Sequence, residues 1–105
     1  MLPVRSELLT PGQVVSRSIQ APNLLPFFMI GDDDLSQRWL IARKETLQKI
    51  GAMGLVVNVK SLQRFNELQA LVPDLKLSPV SGDDIATRLG LAHYPVLITS
   101  TAIEQ

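Results

Sequence analysis

Ile85-Ala-Thr-Arg-Leu-Gly-Leu-Ala-His-Tyr-Pro-Val-Leu-Ile-Thr99 is the stretch on which the fold is decided. It reads as a short amphipathic helix, a glycine stop, an aromatic-proline step and an apolar strand. Proline is tolerated at the first residue of a strand or on its edge, so His93-Tyr94-Pro95 marks where the closing strand, Val96 to Thr99, begins. An aromatic residue before proline favours the cis isomer more than most residues do, although trans is the default, and a cis bond is expected at Tyr94-Pro95. The backbone N–H and C=O of Tyr94 are then expected to face outward, free to pair with a partner.

Upstream, the same alternation repeats. Phe27-Phe-Met-Ile30 and Leu55-Val-Val-Asn-Val59 are unbroken apolar runs without a polar face, the pattern of strands covered on both sides. Between them, Leu35, Trp39, Ala42, Leu47 and Ile50 fall on one arc at helical spacing, with Arg38, Lys44, Glu45, Gln48 and Lys49 opposite and Gly51 as the stop. Ile41 points into the polar face. Leu62, Phe65, Leu68 and Val72 form a second helical stripe stopped by Pro73. Lys76 to Val80 reads as a short edge strand, and Ser81 or Asp83 starts the last helix. Residues 1–24 form an extended, proline-rich lead-in, with a turn at Thr10-Pro11-Gly12 and an edge strand at Val14 to Ile19.

Alternating strands and helices predict an α/β domain over residues 1–105: three layers, a small mixed sheet of about four strands, helices on both faces. A length of 105 residues and 46% apolar content suit one folded domain with a modest core. Ten acidic side chains balance ten basic ones, so no net field recruits nucleic acid. The absence of cysteine removes disulfides, thiol catalysis and thiolate metal sites. No apolar run approaches the roughly 20 residues of a membrane span.

Few residues carry chemistry. Asp32, Asp33 and Asp34 follow a strand that runs into a helix, and Asp83 and Asp84 begin another. Two carboxylate clusters at such positions suit Mg²⁺ in a phosphoryl-transfer or receiver-like site built from Asp32, Asp34, Asp83 and Asp84. Helix capping explains the same residues, because Asp accepts orphan N–H groups at the positive end of the dipole. A receiver also needs an acceptor Asp at a central strand end, where this chain has Asn58 and Lys60. His93 is the single histidine, with no nucleophile or orienting group nominated beside it. No phosphate loop, dinucleotide fingerprint or zinc spacing is present, and no cofactor is implied.

Three stretches together resemble a known family: Leu24-Leu-Pro-Phe-Phe-Met-Ile-Gly-Asp-Asp-Asp34, Gly54-Leu-Val-Val-Asn-Val59, and Pro79 through Thr99 with its Gly-Asp-Asp and Tyr-Pro-Val-Leu-Ile-Thr motifs. The chain is similar to the C-terminal part of integrating conjugative element proteins of a domain family of unknown function. It is more loosely similar to TrbC-type conjugative pilus assembly proteins, which share the strand-helix-strand and proline-strand arrangement. In thioredoxin-like domains the series seen at Ile85 to Thr99 leads into the proline beside the redox site. The resemblance implies a thioredoxin-like domain without thiol chemistry, the C-terminal part of a longer exported protein in the periplasm or cell envelope. Its expected partners are other proteins of a conjugative type IV secretion apparatus. Expected binding residues are His93, Tyr94 and Pro95, with Asp32, Asp33 and Asp34 at the start of the first long helix. The resemblance brings no catalytic residue with it.

Overall fold

The computed structural model describes residues 2–105. Its elements in chain order are β1 (Thr10–Pro11), β2 (Arg17–Ser18), β3 (Phe27–Gly31), α1 (Asp34–Ile50), β4 (Met53–Asn58), α2 (Leu62–Leu71), β5 (Leu77–Pro79), α3 (Asp83–Leu89), β6 (His93–Tyr94), β7 (Val96–Ile98) and β8 (Ala102–Glu104). Six strands form one mixed sheet in the order β2-β8-β7-β3-β4-β5, and β1 pairs separately with β6. The sheet is larger than the four strands expected: β8 extends it beyond β7, and β2, inside the edge strand expected at Val14 to Ile19, forms its margin. Strands β3, β4 and β5 are parallel, as helical crossovers require, while β7, β8 and β2 add antiparallel neighbours.

The unbroken apolar runs are buried on both faces, and their residues alternate between two cores. Phe28 and Ile30 of β3, Val56 of β4 and Leu97 of β7 pack with Trp39, Leu40 and Leu47 of α1 and Leu68 of α2. Met29, Val57, Val96 and Ile98 point the other way, toward Ala86 of α3, Ile103 of β8, Tyr94 and Leu9 of the lead-in. The helices α1 and α2 therefore cover one face, and α3 with the N-terminal segment covers the other. A period of two divides each strand between the faces.

The helix ends follow local chemistry. Asp33 caps α1 by accepting from the Ser36 amide, and Ser61 caps α2 by accepting from the Arg64 amide. Gly51 and Gly90 end α1 and α3 with φ of 66° and 67°, the left-handed conformation in which glycine has no Cβ penalty. Inside α1 the buried face is Ser36, Trp39, Leu40 and Leu47. Ala42 is exposed and Ile50 is 40% exposed, so the predicted arc was centred too far round the helix. Ser36 is on the buried face because its hydroxyl donates to Asp33 and accepts from the Gly31 amide, bonds invisible to a hydrophobicity reading.

At the outer edge of β5, Pro79 has no N–H to offer. Gln69 occupies neighbouring groups, donating to the carbonyls of Val72 (3.1 Å) and Leu75 (2.7 Å) and accepting from Leu77 N. At the other end of the chain, Gln105 donates to the carbonyls of Gly12 (2.8 Å) and Pro95 (3.0 Å). No helix among the described residues is long and apolar enough to cross a membrane.

Two neighbours on α1 test the corrected face. Leu40 is fully buried and Ile41 is 57% exposed. Leu40→Ala is expected to cost about 2–5 kcal/mol in urea denaturation, and Ile41→Ala to stay within about 0.5 kcal/mol. Equal costs would place the helix in a different rotation.

Candidate functional site

The parallel strands β3, β4 and β5 end on the same side of the sheet, the place where open α/β folds gather ligands. Here the chain's own residues 4–12 lie across that end. Val4 forms an antiparallel bridge with Val59. The Ser6 amide donates to Asn58 Oδ1 (2.7 Å), while the buried Ser6 hydroxyl donates to Val57 O (2.6 Å) and accepts from Gly82 N (2.8 Å). Glu7 and Leu8 donate their amides to the two oxygens of Asp83, at 3.0 and 2.9 Å. Leu9 is buried in the second core beside Gly82, where a Cβ would come within 2.8 Å of it.

Beyond Leu9 the segment becomes β1 and runs parallel to β6, pairing Thr10 with His93 and Pro11 with Tyr94. Thr10 N donates to Ala92 O and Gly12 N to Tyr94 O, each at 3.0 Å. The expected turn at Thr10-Pro11-Gly12 is thus a strand, because long-range pairing with β6 outweighs the local turn signal. Nδ1 of His93 lies 3.2 Å from Thr10 Oγ1 and 3.3 Å from Thr10 O. The His93 ring also lies against Gly12, where a Cβ would fall 2.7 Å from Nδ1.

The Tyr94-Pro95 bond is cis, as the sequence suggested. The expectation of a free edge there is overturned. Tyr94 is only 3% exposed, and its carbonyl already accepts from Gly12. Its ring packs against Gly31, and its hydroxyl accepts from Asn58 Nδ2 (3.1 Å). Burial pushes the Tyr94 phenol above its ordinary value, the Asn58 bond opposes this, and the charges of Asp33 and Asp32 add to the rise.

The acidic residues divide into separate tasks. Asp33 caps α1, taking both the Ser36 amide (2.9 Å) and hydroxyl (2.8 Å). Asp32 joins strand ends: Oδ2 accepts from Lys60 N (3.0 Å), and Arg64 pairs with the carboxylate (3.7 Å) and donates to the Asp32 carbonyl. Asp34 is exposed in the first turn of α1. In the second cluster the capping expectation fails, since Gly82 is the N-cap of α3 and no side chain caps it. Asp83 holds the N-terminal segment instead, and exposed Asp84 pairs with Arg88 one turn on (3.3 Å). Among the described residues, no group of three or more His, Asp or Glu side chains gathers to hold a metal ion, so the Mg²⁺ arrangement read from the sequence does not fit.

Sequence reasoning missed Ser6, Leu9, Asn58 and Gly82. Asn58 left a trace, as the one amide inside an apolar strand run. The Leu8-Leu9 pair left another, as an apolar step within a proline-rich lead-in. Gly82 stood in the Gly-Asp-Asp motif without a role, and Ser6 left no trace.

Residues 1–103 match the protein family described as "Protein of unknown function (DUF2859)", and the chain belongs to that family. No curated protein and no solved structure matches the chain.

Removing the Asp83 carboxylate should free two amides at once. Asp83→Ala is expected to remove hydrogen-exchange protection from Glu7 and Leu8 and to cost about 1.5 kcal/mol, the low end for bonds to a charged group because the contact is exposed. Asp84→Ala is expected to change stability by less than about 0.5 kcal/mol. Protection that persists in Asp83→Ala would show another anchor for the segment.

Tyr94 is the only tyrosine, so its phenolate absorbance can be titrated directly. Its folded-state value lies above the ordinary value of about 10. The unfolded chain therefore releases the phenolic proton first. The contribution to stability is complete below pH about 10 and falls as pH rises through the window up to the folded-state value. Tyr94→Phe should flatten that alkaline decline in denaturation experiments. Phenolate appearing below pH about 10 in the folded protein would contradict the burial.

Proposed function

We propose that this member of the family is a non-catalytic, protein-binding accessory domain of a conjugative DNA-transfer apparatus of the type IV secretion kind, carried by an integrating conjugative element. The motif resemblance supports the assignment to conjugation and to the periplasm or cell envelope. The three-layer arrangement, with a proline directly before a strand paired to β3, supports reading the domain as thioredoxin-like. The binding role rests on one observation: the carboxyl end of the sheet is shaped around a peptide segment that turns at Glu7-Leu8 and pairs as a strand at Thr10–Pro11.

That peptide is the chain's own residues 4–12, held mainly through its backbone. Amides of Ser6, Glu7, Leu8, Thr10 and Gly12 are all taken by groups more than 50 residues away. Leu9 fills an apolar pocket of the second core, and half-buried Val4 packs against the first. Backbone pairing with one side-chain pocket is the physical form of strand-addition recognition. Around the rim, Leu8 is 54% exposed and offers apolar surface to a partner protein. Neither acidic cluster supplies a metal-binding alternative, because Asp32, Asp33 and Asp83 are engaged with the fold's own backbone.

A photo-crosslinking residue tests this in cells carrying the transfer element. Placed at Leu8, on the rim, it is expected to give a discrete adduct with a component of the apparatus. Placed at Ile41, on the far helix, it is expected to give none. Adducts of equal yield at both positions, or none at Leu8, would remove the binding role of this end of the sheet.

A further inference from the structure

We propose that the cradle at the carboxyl end of the sheet also accepts residues 4–12 of a second copy of this chain, so that two molecules exchange their N-terminal segments. The inference rests on reading that end as a peptide site, and it names a partner for it.

Three residues of the segment set what the cradle admits. Ser6 is buried and bonded on both sides, to Val57 O and Gly82 N. Leu9 fills the pocket beside Gly82 and Val57. Gly12 lies under the His93 ring, where any Cβ would come within 2.7 Å of Nδ1. An incoming strand must therefore present a small hydroxyl residue, then leucine three positions on, then glycine three further on. It must also run parallel to His93–Tyr94. A second copy carries Ser6, Leu9 and Gly12 at that spacing, and Pro11 between them at a position open to solvent.

The energetics favour the same occupant. The resident segment has the advantage of being tethered, which raises its effective concentration to about the millimolar range. A foreign peptide with fewer matching contacts competes poorly against that. An exchanged segment makes the same contacts as the resident one, so only association entropy and the linker distinguish closed monomer from exchanged dimer. The linker is held by one half-buried side chain, Val14 on the second core: residues 13–16 belong to no helix or strand, and Val15 is 84% exposed. Leu9 is the one fully buried apolar side chain between residues 2 and 12, with half-buried Leu2 and Val4 packed on the first core, so release of the segment exposes little apolar surface.

The chain has no cysteine, so single-thiol variants report cleanly. Thr10 and His93 are register partners, and neighbouring strand positions lie about 4.8 Å apart, within disulfide range. Thr10→Cys protein is mixed with His93→Cys protein under mild oxidation, each first shown by circular dichroism to be folded. A disulfide-linked heterodimer is expected to form at least about tenfold faster than in an Ile41→Cys with His93→Cys control, with a yield that rises with concentration. The double variant Thr10→Cys/His93→Cys calibrates the geometry by closing within one chain. Closure in the double variant, with the mixed pair no faster than the control, would overturn the exchange and leave a partner adduct at Leu8 unaffected. Failure of the double variant to close would also overturn it, because β1 would then not pair with β6 in solution.

Discussion

The side-chain amide of Asn58 is the point on which the carboxyl end of the sheet depends. It sits at the end of β4, near the middle of the parallel strands, and reaches three residues distant in sequence. Its oxygen accepts from Ser6, and its nitrogen donates to Leu9 O (3.2 Å) and to the Tyr94 hydroxyl. An amide offers two acceptor and two donor sites, so three of four are spent on holding the lead-in and β6 in one arrangement. No apolar residue of the same size could replace it without orphaning groups on both partners. The central strand thereby carries the lead-in, and the lead-in carries β6.

That dependence explains why residues with suggestive chemistry turn out to be structural. A backbone segment that lies outside a ladder leaves amides in need of acceptors, and carboxylates accept without offering a competing donor. Asp83 meets that need for Glu7 and Leu8, and Asp32 meets it for Lys60. Asp33 does the same inside the first turn of α1. Of the five aspartates that look like metal ligands in the sequence, four serve separate tasks, Asp84 pairing with Arg88 in solvent, and Asp34 stands exposed.

What the sequence revealed, and what it hid, divides along the range of the interactions involved. The strands β3, β4 and β7 were legible because burial on both faces leaves continuous apolar runs, and Gly51 and Gly90 were legible as helix ends. The pairing of β1 with β6 was not, because each strand has two residues and neither pattern carries a period. β8 was missed for a similar reason: with only Ile103 buried between two half-buried neighbours, three residues are too few to establish a period. On α1, Trp39 and Leu47 were read correctly, whereas Ala42 was assigned to a core that Leu40 fills. Of the site, His93 and Tyr94 were placed together with Pro95, but their neighbours Ser6, Leu9 and Asn58 become neighbours only through folding.

The guarded edge of β5 limits how this protein can aggregate. A mixed sheet of six strands has two outer margins, and a long open margin on either would template endless stacking. On one margin Pro79 and Gln69 interrupt the row of donors and acceptors. On the other, β2 is only Arg17 and Ser18, both exposed, too short to seed a growing ribbon. Both margins are short or interrupted, a shape that disfavours growth of the sheet from molecule to molecule.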